Sequence, residues 1–366
     1  MLAGVFHASK VMISLMITAT TAGVALAAPV MGQIADRAGR KRVIVACAAV
    51  LGIATLLTAT ATNLGALLFW RFVQGVATPG VFSVTTAYVH DQWPAAKAAS
   101  AISAYVSGTV VGGFFGRVIS GFAAEHFGWQ SAFIALGCIS LAIAAYLAFS
   151  LRADHGAAPA PMGRAMAEHL RNPQLVAAYT VGSCVLFTQT AMFTYVAFHL
   201  AAPPYSLSAS LLGSIFVVYL IGAAVTPIAG RRIDRSSGRE GHKKMMVFAA
   251  FLGAAGALVT LVPNVWAVVA GLAACCSGVF ISQAAATSFV GVAAKYNRAL
   301  ALGLYVSFYY AGGSLGGTAP GWLWQAFGWP GCVALVVAVQ MVIAGVAWTR
   351  WDAVRHAGVR ADALGQ

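Results

Sequence analysis

Apolar residues run along this chain in stretches of about twenty, broken alternately by short neutral segments and longer basic ones. Eleven such stretches are legible, at roughly 11–33, 43–62, 64–89, 98–124, 129–151, 175–198, 208–230, 243–262, 264–292, 299–324 and 329–350. As helices rising about 1.5 Å per residue, they are long enough to cross a hydrocarbon layer about 30 Å thick. Helix is predicted over strand because, in lipid, each segment must satisfy its own backbone amides and carbonyls. The gaps at Asn63 and at Pro263–Asn264 predict tight turns between antiparallel helices.

Composition supports the same picture. Of 366 residues, 60% are hydrophobic and 8% charged, and mean hydropathy is +0.82. A soluble domain needs a charged exterior that this chain cannot supply, whereas a bilayer supplies an apolar solvent. The 39 glycines suit helices that pack closely in lipid. The six cysteines lie inside apolar runs, without metal-type spacing or a paired extracellular pattern, and read as small buried hydrophobes.

A net charge of +13 would suggest nucleic acid in a soluble protein. Here its distribution excludes that. Of 22 Lys and Arg, Arg71 and Arg117 lie within spans and Lys10 precedes the first; the other 19 fall in alternate loops, at 36–42, 92–98, 152–174, 231–244 and 293–298, or in the tail, 350–366. The opposite loops carry none. Under the positive-inside rule the C-terminus is expected in the cytoplasm, and with eleven spans the N-terminus outside. Ala25-Leu26-Ala27 before Ala28-Pro29 imitates a signal-peptide cleavage site, but the apolar run is too long and ends in a basic loop.

The chain also repeats itself. Gly112-Gly113-x-x-Gly116, Gly121 and Phe127-Gly128-Trp129 recur 200 residues later as Gly312-Gly313-x-x-Gly316, Gly321 and Phe327-Gly328-Trp329. Gly32-x-x-x-Asp36-Arg37-x-Gly39-Arg40 returns, at an offset of 198 and then 199, as Gly230-x-x-x-Asp234-Arg235-x-x-Gly238-Arg239. A unit of that size holds several helices and fits two like-oriented halves of a transporter. Five second-half spans have first-half mates; the span at 175–198 would map before Met1. The expectation is an all-α membrane protein of two pseudo-symmetric bundles, five plus six helices, with the first helix of the first bundle missing through a late start site or a real truncation. The predicted layout is an N-terminal bundle, 1–151, a cytoplasmic linker, 152–174, a C-terminal bundle, 175–350, and a cytoplasmic tail, 351–366.

Gly32-x-x-x-Asp36-Arg37-x-Gly39-Arg40-Lys41 resembles the signature loop between helices 2 and 3 of the major facilitator superfamily, and within it the chain is similar to bacterial drug and sugar efflux carriers of the arabinose-efflux-like group. The resemblance implies a loop that latches the halves during alternating access, with Asp234 and Arg235 as the repeat's counterpart. Arg71-x-x-Gln74-Gly75 resembles the family's Arg-x-x-Gln-Gly motif of helix 4. Gly108-x-x-x-Gly112-Gly113-x-x-Gly116-Arg117 resembles the helix-5 antiporter motif, with Gly113 in place of its proline and Arg117 in place of its last glycine. Gly108, Gly112 and Gly116, like Gly312 and Gly316, are read as helix-packing positions.

Arginine inside a span is costly and marks a functional site by default. Arg71 and Arg117 each lie about seven residues, or about 10 Å, from the end of a span. Their repeat mates are Gly271 and Gly317, so neither charge is duplicated. Together they could hold an anionic group, or one could pair with a carboxylate. Gln74, Gln189 and Gln283 are further cavity candidates, favoured because helices 4, 7 and 10 face the path in the family, and Tyr195, Tyr219, Tyr305 and Tyr309 are read with them as polar aromatics that line the cavity. No metalloprotease, hydrolase-elbow or nucleotide-loop motif is present, so neither an enzyme nor ATP-driven transport is expected. The reading is a secondary carrier in the bacterial inner membrane, a monomer exporting a small molecule with protons as coupling ion, without a cofactor or metal. The alternative is a truncated, non-transporting receptor or inactive relic.

Overall fold

Helix ends fall where the sequence supplies caps. Ser9 accepts from the amide of Met12 at 3.1 Å and opens α2, Lys10–Ala38. Asn172 accepts from Gln174 and Leu175 and, with Pro173 at the first helical position, opens α8, Pro173–Leu200. Asn264 does the same for α11, Val265–Ala293. Asn63 accepts from Ala66 at 2.8 Å, so both short polar gaps are helix-starting turns. In sequence order the helices are α1, Leu2–Val5; α2; α3, Arg40–Ala59; α4, Leu64–Gln92; α5, Ala95–Phe127; α6, Trp129–Ser150; α7, Gly163–Arg171; α8; α9, Ala209–Ile215; α10, Gly238–Val259; α11; α12, Arg298–Thr318; and α13, Pro320–Arg350. The computed structural model describes residues 2–6, 8–92, 95–152, 163–221, 224–225, 228, 238–294 and 298–351.

Among the described residues there is no strand, and eight helices are long and apolar enough to span a membrane. Helices α5, α9 and α12 occupy the remaining expected spans. Two boundaries differ from the sequence reading. The stretch 299–324 breaks at Thr318–Ala319, because Pro320 lacks an amide donor and begins a new helix. Part of the expected linker, Gly163–Arg171, is a helix that packs on α8 and α12.

The repeat is visible in the backbone. Gly128 sits at φ 85° before α6, and its mate Gly328 sits at φ 64° where α13 bends. Only glycine adopts such angles cheaply. A Gly128→Ala substitution should destabilise the fold by about 1–3 kcal/mol, read as a fall in the melting temperature of detergent-solubilised protein.

Helices α2 to α6 pack among themselves, as do α8 and α10 to α13, while α9 is set against α5. The two groups meet along two seams, α2 against α12 and α5 against α9. In the second group α8 is central, packing on α11, α12 and α13. A Cβ on Gly312 would strike the Ser183 carbonyl oxygen, and one on Gly316 would come within 2.5 Å of the Phe187 oxygen. Their mates behave differently: a Cβ on Gly108, Gly112 or Gly116 meets nothing within 4 Å among the described residues. Close packing is therefore seen at Gly312 and Gly316, while the matching face of α5 is open.

Candidate transport site

For orientation, the basic end of the bundle is the one holding 36–42, and the far end holds 63 and 125–128. At the basic end, Gly39 (φ 88°) closes α2, its amide donating to the Ala35 oxygen at 3.0 Å. The turn aims Arg40 along α4: its Nη1 donates to the Ala87 oxygen at 3.0 Å, and its Nη2 meets Asp36 Oδ1 at 3.3 Å. Asp36 thus holds the arginine that ties the loop to α4. Tyr88, next on α4, donates to the Arg152 oxygen and accepts from the Arg152 amide, fastening the end of α6. Arg37 is exposed and Lys41 half-buried. A Cβ on Gly32 meets nothing within 4 Å, so this glycine is not a contact point here. Asp234 and Arg235 lie outside the described residues.

On α4, Arg71 Nη1 donates to Gln74 Oε1 at 2.6 Å. Gln74 Nε2 donates to Thr58 Oγ1 on α3 at 2.9 Å, and Thr58 donates to the Ala54 oxygen. Gln74 and Thr58 are both buried. Spacings of three and four residues on α4 and α3 stack these groups on one face of each helix. Arg71 Nε is also buried and has no hydrogen-bond partner among the described residues. Gly75 completes the motif by steric means, since a Cβ there would strike the Thr20 oxygen and one on Gly23 would lie 2.5 Å from the Phe72 oxygen. The motif therefore sets a close α2–α4 crossing and fixes a buried guanidinium beside it.

Arg117 is placed elsewhere. Its Nη1 donates to the Gly113 oxygen at 2.8 Å, and its guanidinium carbon lies 4.6 Å from the Phe216 ring and 4.8 Å from the Tyr219 ring, across the α5–α9 seam. Among the described residues the two arginines have separate partners and do not form one cluster. Gln189 lies on α8, the helix that also carries Phe193 against Tyr219. Gln283 is half-buried on α11, and Tyr305 and Tyr309 stack at 5.9 Å along α12.

Both seams are shut toward the far end. In the α2–α12 seam, Thr18 donates to the Ser314 oxygen at 3.0 Å and Ser314 donates back to the Thr18 oxygen at 3.2 Å. Tyr195 donates to the Gly317 oxygen at 3.0 Å and meets Ser14 Oγ at 3.3 Å. In the α5–α9 seam, a Cβ on Gly121 would come within 2.6 Å of the Ala209 oxygen. Glu125, beyond the expected span, accepts from the Ser210 amide at 2.7 Å at the start of α9. That amide, then the Ser210 and Ser208 hydroxyls, hold its carboxyl below the usual carboxylate range. A group depressed in the closed state stabilises that state above its free pKa and loses the effect as pH falls through the depressed value. Glu125→Gln should therefore melt below the native protein at pH 7, with the gap narrowing as pH falls below the ordinary carboxylate range.

Sequence reading missed Thr18, Ser314 and the rings Phe193, Phe216 and Phe280. Single hydroxyls and aromatics in apolar spans carry no motif. Only the clustering of aromatics about Tyr219 could have flagged the last three. Among the described residues no group of three or more potential metal ligands occurs.

The sequence matches the family described as Major Facilitator Superfamily over residues 1–240 and 201–363. An MFS-type transporter, YybF, of Bacillus subtilis is 31% identical over 342 residues, covering 92% of this chain and 84% of that protein. The inner membrane transport protein YnfM of Escherichia coli is 29% identical, covering 94% and 82%. The multidrug resistance protein MdtL of Klebsiella pneumoniae is 28% identical over 191 residues, covering 52% and 48%. A bacterial homolog of the human lysosomal transporter Spinster, solved in an inward-facing and occupied conformation, superposes with a TM-score of 0.71 at 17% identity, covering 95% of this chain and 88% of that one. The profile spans both halves and a relative above 30% identity spans most of both chains, so this multi-pass membrane protein belongs to the Major Facilitator Superfamily of transporters.

Proposed function

We propose that the protein is a secondary active carrier that exports a small molecule, drug-like, sugar or metabolite, by alternating access and in exchange for protons. The observation that carries this reading is the pair of seams, α2–α12 and α5–α9, both shut toward the far end. The repeat relates them, so two bundles that rock about them can open one end while closing the other. With the basic end in the cytoplasm of an inner membrane, the far-end closure is the external gate, and Gly39, Arg40 and Asp36 form the internal latch. The likeness to MdtL, a multidrug resistance protein, favours export.

Arg71 is the proposed charge-sensing residue. No Asp or Glu lies deep in any expected span, and Arg71 is held by one amide while its Nε–H has no partner among the described residues. An anionic substrate group, or water carrying the coupled proton, can occupy that donor. Gln283 and Gln189 line the facing wall, and the carrier works as a monomer.

The test uses reconstituted vesicles with an imposed pH gradient and a panel of organic cations, organic anions, sugars and small metabolites. At least one compound should discharge the gradient in loaded but not in empty vesicles. Binding of a panel compound without gradient discharge by any would show a receptor instead.

A further inference from the structure

The two rings that receive Arg117, Phe216 and Tyr219, belong to a cluster of four. Phe193 on α8 stacks on Tyr219 at 4.6 Å between centroids and lies 5.4 Å from Phe216; Phe280 on α11 meets Tyr219 edge-on at 6.1 Å. Phe216 and Tyr219 stack on each other at 5.5 Å with planes 9° apart. Their alignment has a backbone cause. From Phe216 to Leu220 the amides bond three residues back, Phe216 to Gly213, Val217 to Ser214, Tyr219 to Phe216 and Leu220 to Val217. In such a 3₁₀ turn, side chains three apart eclipse.

These rings belong to the second group of helices, and the cation over them to the first. Among the described residues Arg117 has no ion pair, and its one hydrogen bond is to a carbonyl of its own helix. The sister seam closes without any charge. There the residue equivalent to Arg117 is Gly317, whose Cβ position lies 2.6 Å from Thr18 Oγ1. A glycine is enough to shut such a seam, so the arginine at 117 needs another reason. Ring faces are negative and attract guanidinium and other delocalised cations.

We propose that Phe193, Phe216, Tyr219 and Phe280 form the binding box for an organic cation cargo, and that Arg117 is its tethered competitor, filling the box while the far end is shut. This rests on the carrier reading and names its substrate class. Parting the α5–α9 seam withdraws Arg117 and frees the rings, so cargo and gate exclude one another. Gln189, one helical turn before Phe193 on α8, sets the polar edge of the box.

Binding of radiolabelled tetraphenylphosphonium to the full chain in detergent tests this without requiring transport. Removing the competitor in Arg117→Ala should tighten binding about tenfold. Adding Tyr219→Ala to that variant should remove the gain, whereas Tyr219→Phe in its place, which keeps the ring, should retain it. Unchanged or weaker binding in Arg117→Ala, or no binding by any variant, overturns the proposal, as does displacement of the probe by salicylate but not by ethidium. The carrier reading fails separately: tighter binding with no compound discharging the pH gradient keeps the box and removes the carrier, while discharge by sugars or anions alone, with no gain in binding, does the reverse.

Discussion

Replacing Arg71 with methionine should cut transport at least tenfold while leaving the protein as stable as the native chain, or more stable. The two halves of this expectation have different causes. A guanidinium in a buried site loses hydration, and among the described residues Arg71 has no carboxylate to offset that loss, only the Gln74 oxygen at 2.6 Å. Exchanging a buried charge for an apolar side chain of similar length is often neutral or stabilising, by about 1–4 kcal/mol in favourable cases. If Arg71 served packing alone, methionine would serve as well. If it senses charge during transport, flux falls although the fold holds. The check is gradient-discharge rate beside melting temperature, using whichever panel compound the native protein moves. Equal rates would remove Arg71 from the site. Arg71→Lys is expected to recover little, because an ammonium cannot span the geometry that a guanidinium fork holds between Gln74 and the cavity.

The second large effect is structural and contrasts two positions that the repeat makes equivalent. Gly312→Val should destabilise the fold severely, by about 3 kcal/mol or more, because the added atoms meet the Ser183 backbone oxygen rather than a side chain able to move. Gly112→Val should change stability by no more than about 0.5 kcal/mol, since its Cβ position is open. Melting curves of the two variants decide it. Equal losses would mean that α5 is packed along this face as α12 is. Within one chain, then, the same glycine pattern packs a helix in one half and leaves a face clear in the other.

That contrast also marks how far the sequence could be read. Helix positions were legible because lipid imposes a length of about twenty residues and the positive loops impose an alternation. The Phe-Gly-Trp copies at 127–129 and 327–329 were legible as a repeat, but the positive φ that Gly128 and Gly328 share emerged only in the structure. The break at Pro320 was harder, since proline at a first helical position and proline inside a span look alike in an apolar run. The Asp36–Arg40 pairing was within reach, being a contact of spacing four on helical residues, but the reach of Arg40 to Ala87 depends on where α4 ends in space. At the site, Arg71 with Gln74 was legible as a motif. Arg117 was legible as a cation in lipid, but its partners were not. They lie about one hundred residues downstream, and a 3₁₀ turn that no residue pattern announced is what aligns them. The α2–α12 seam is made from Thr18 and Ser314 bonding to each other's backbone, so neither side chain type predicts its partner.

The central claim is that two closed seams at the far end open and close in alternation with the basic end. It is tested most directly by labelling Gln189→Cys, in a chain whose six native cysteines are replaced by alanine, with a membrane-impermeant maleimide applied to either side of oriented vesicles. The same measurement is then made with Thr18→Cys and Ser314→Cys added and oxidised to a disulfide. The account predicts labelling from both sides before oxidation, loss of labelling from the far-end side alone after it, and recovery on reduction. Far-side labelling that survives the disulfide, or labelling confined to one side from the start, would contradict it.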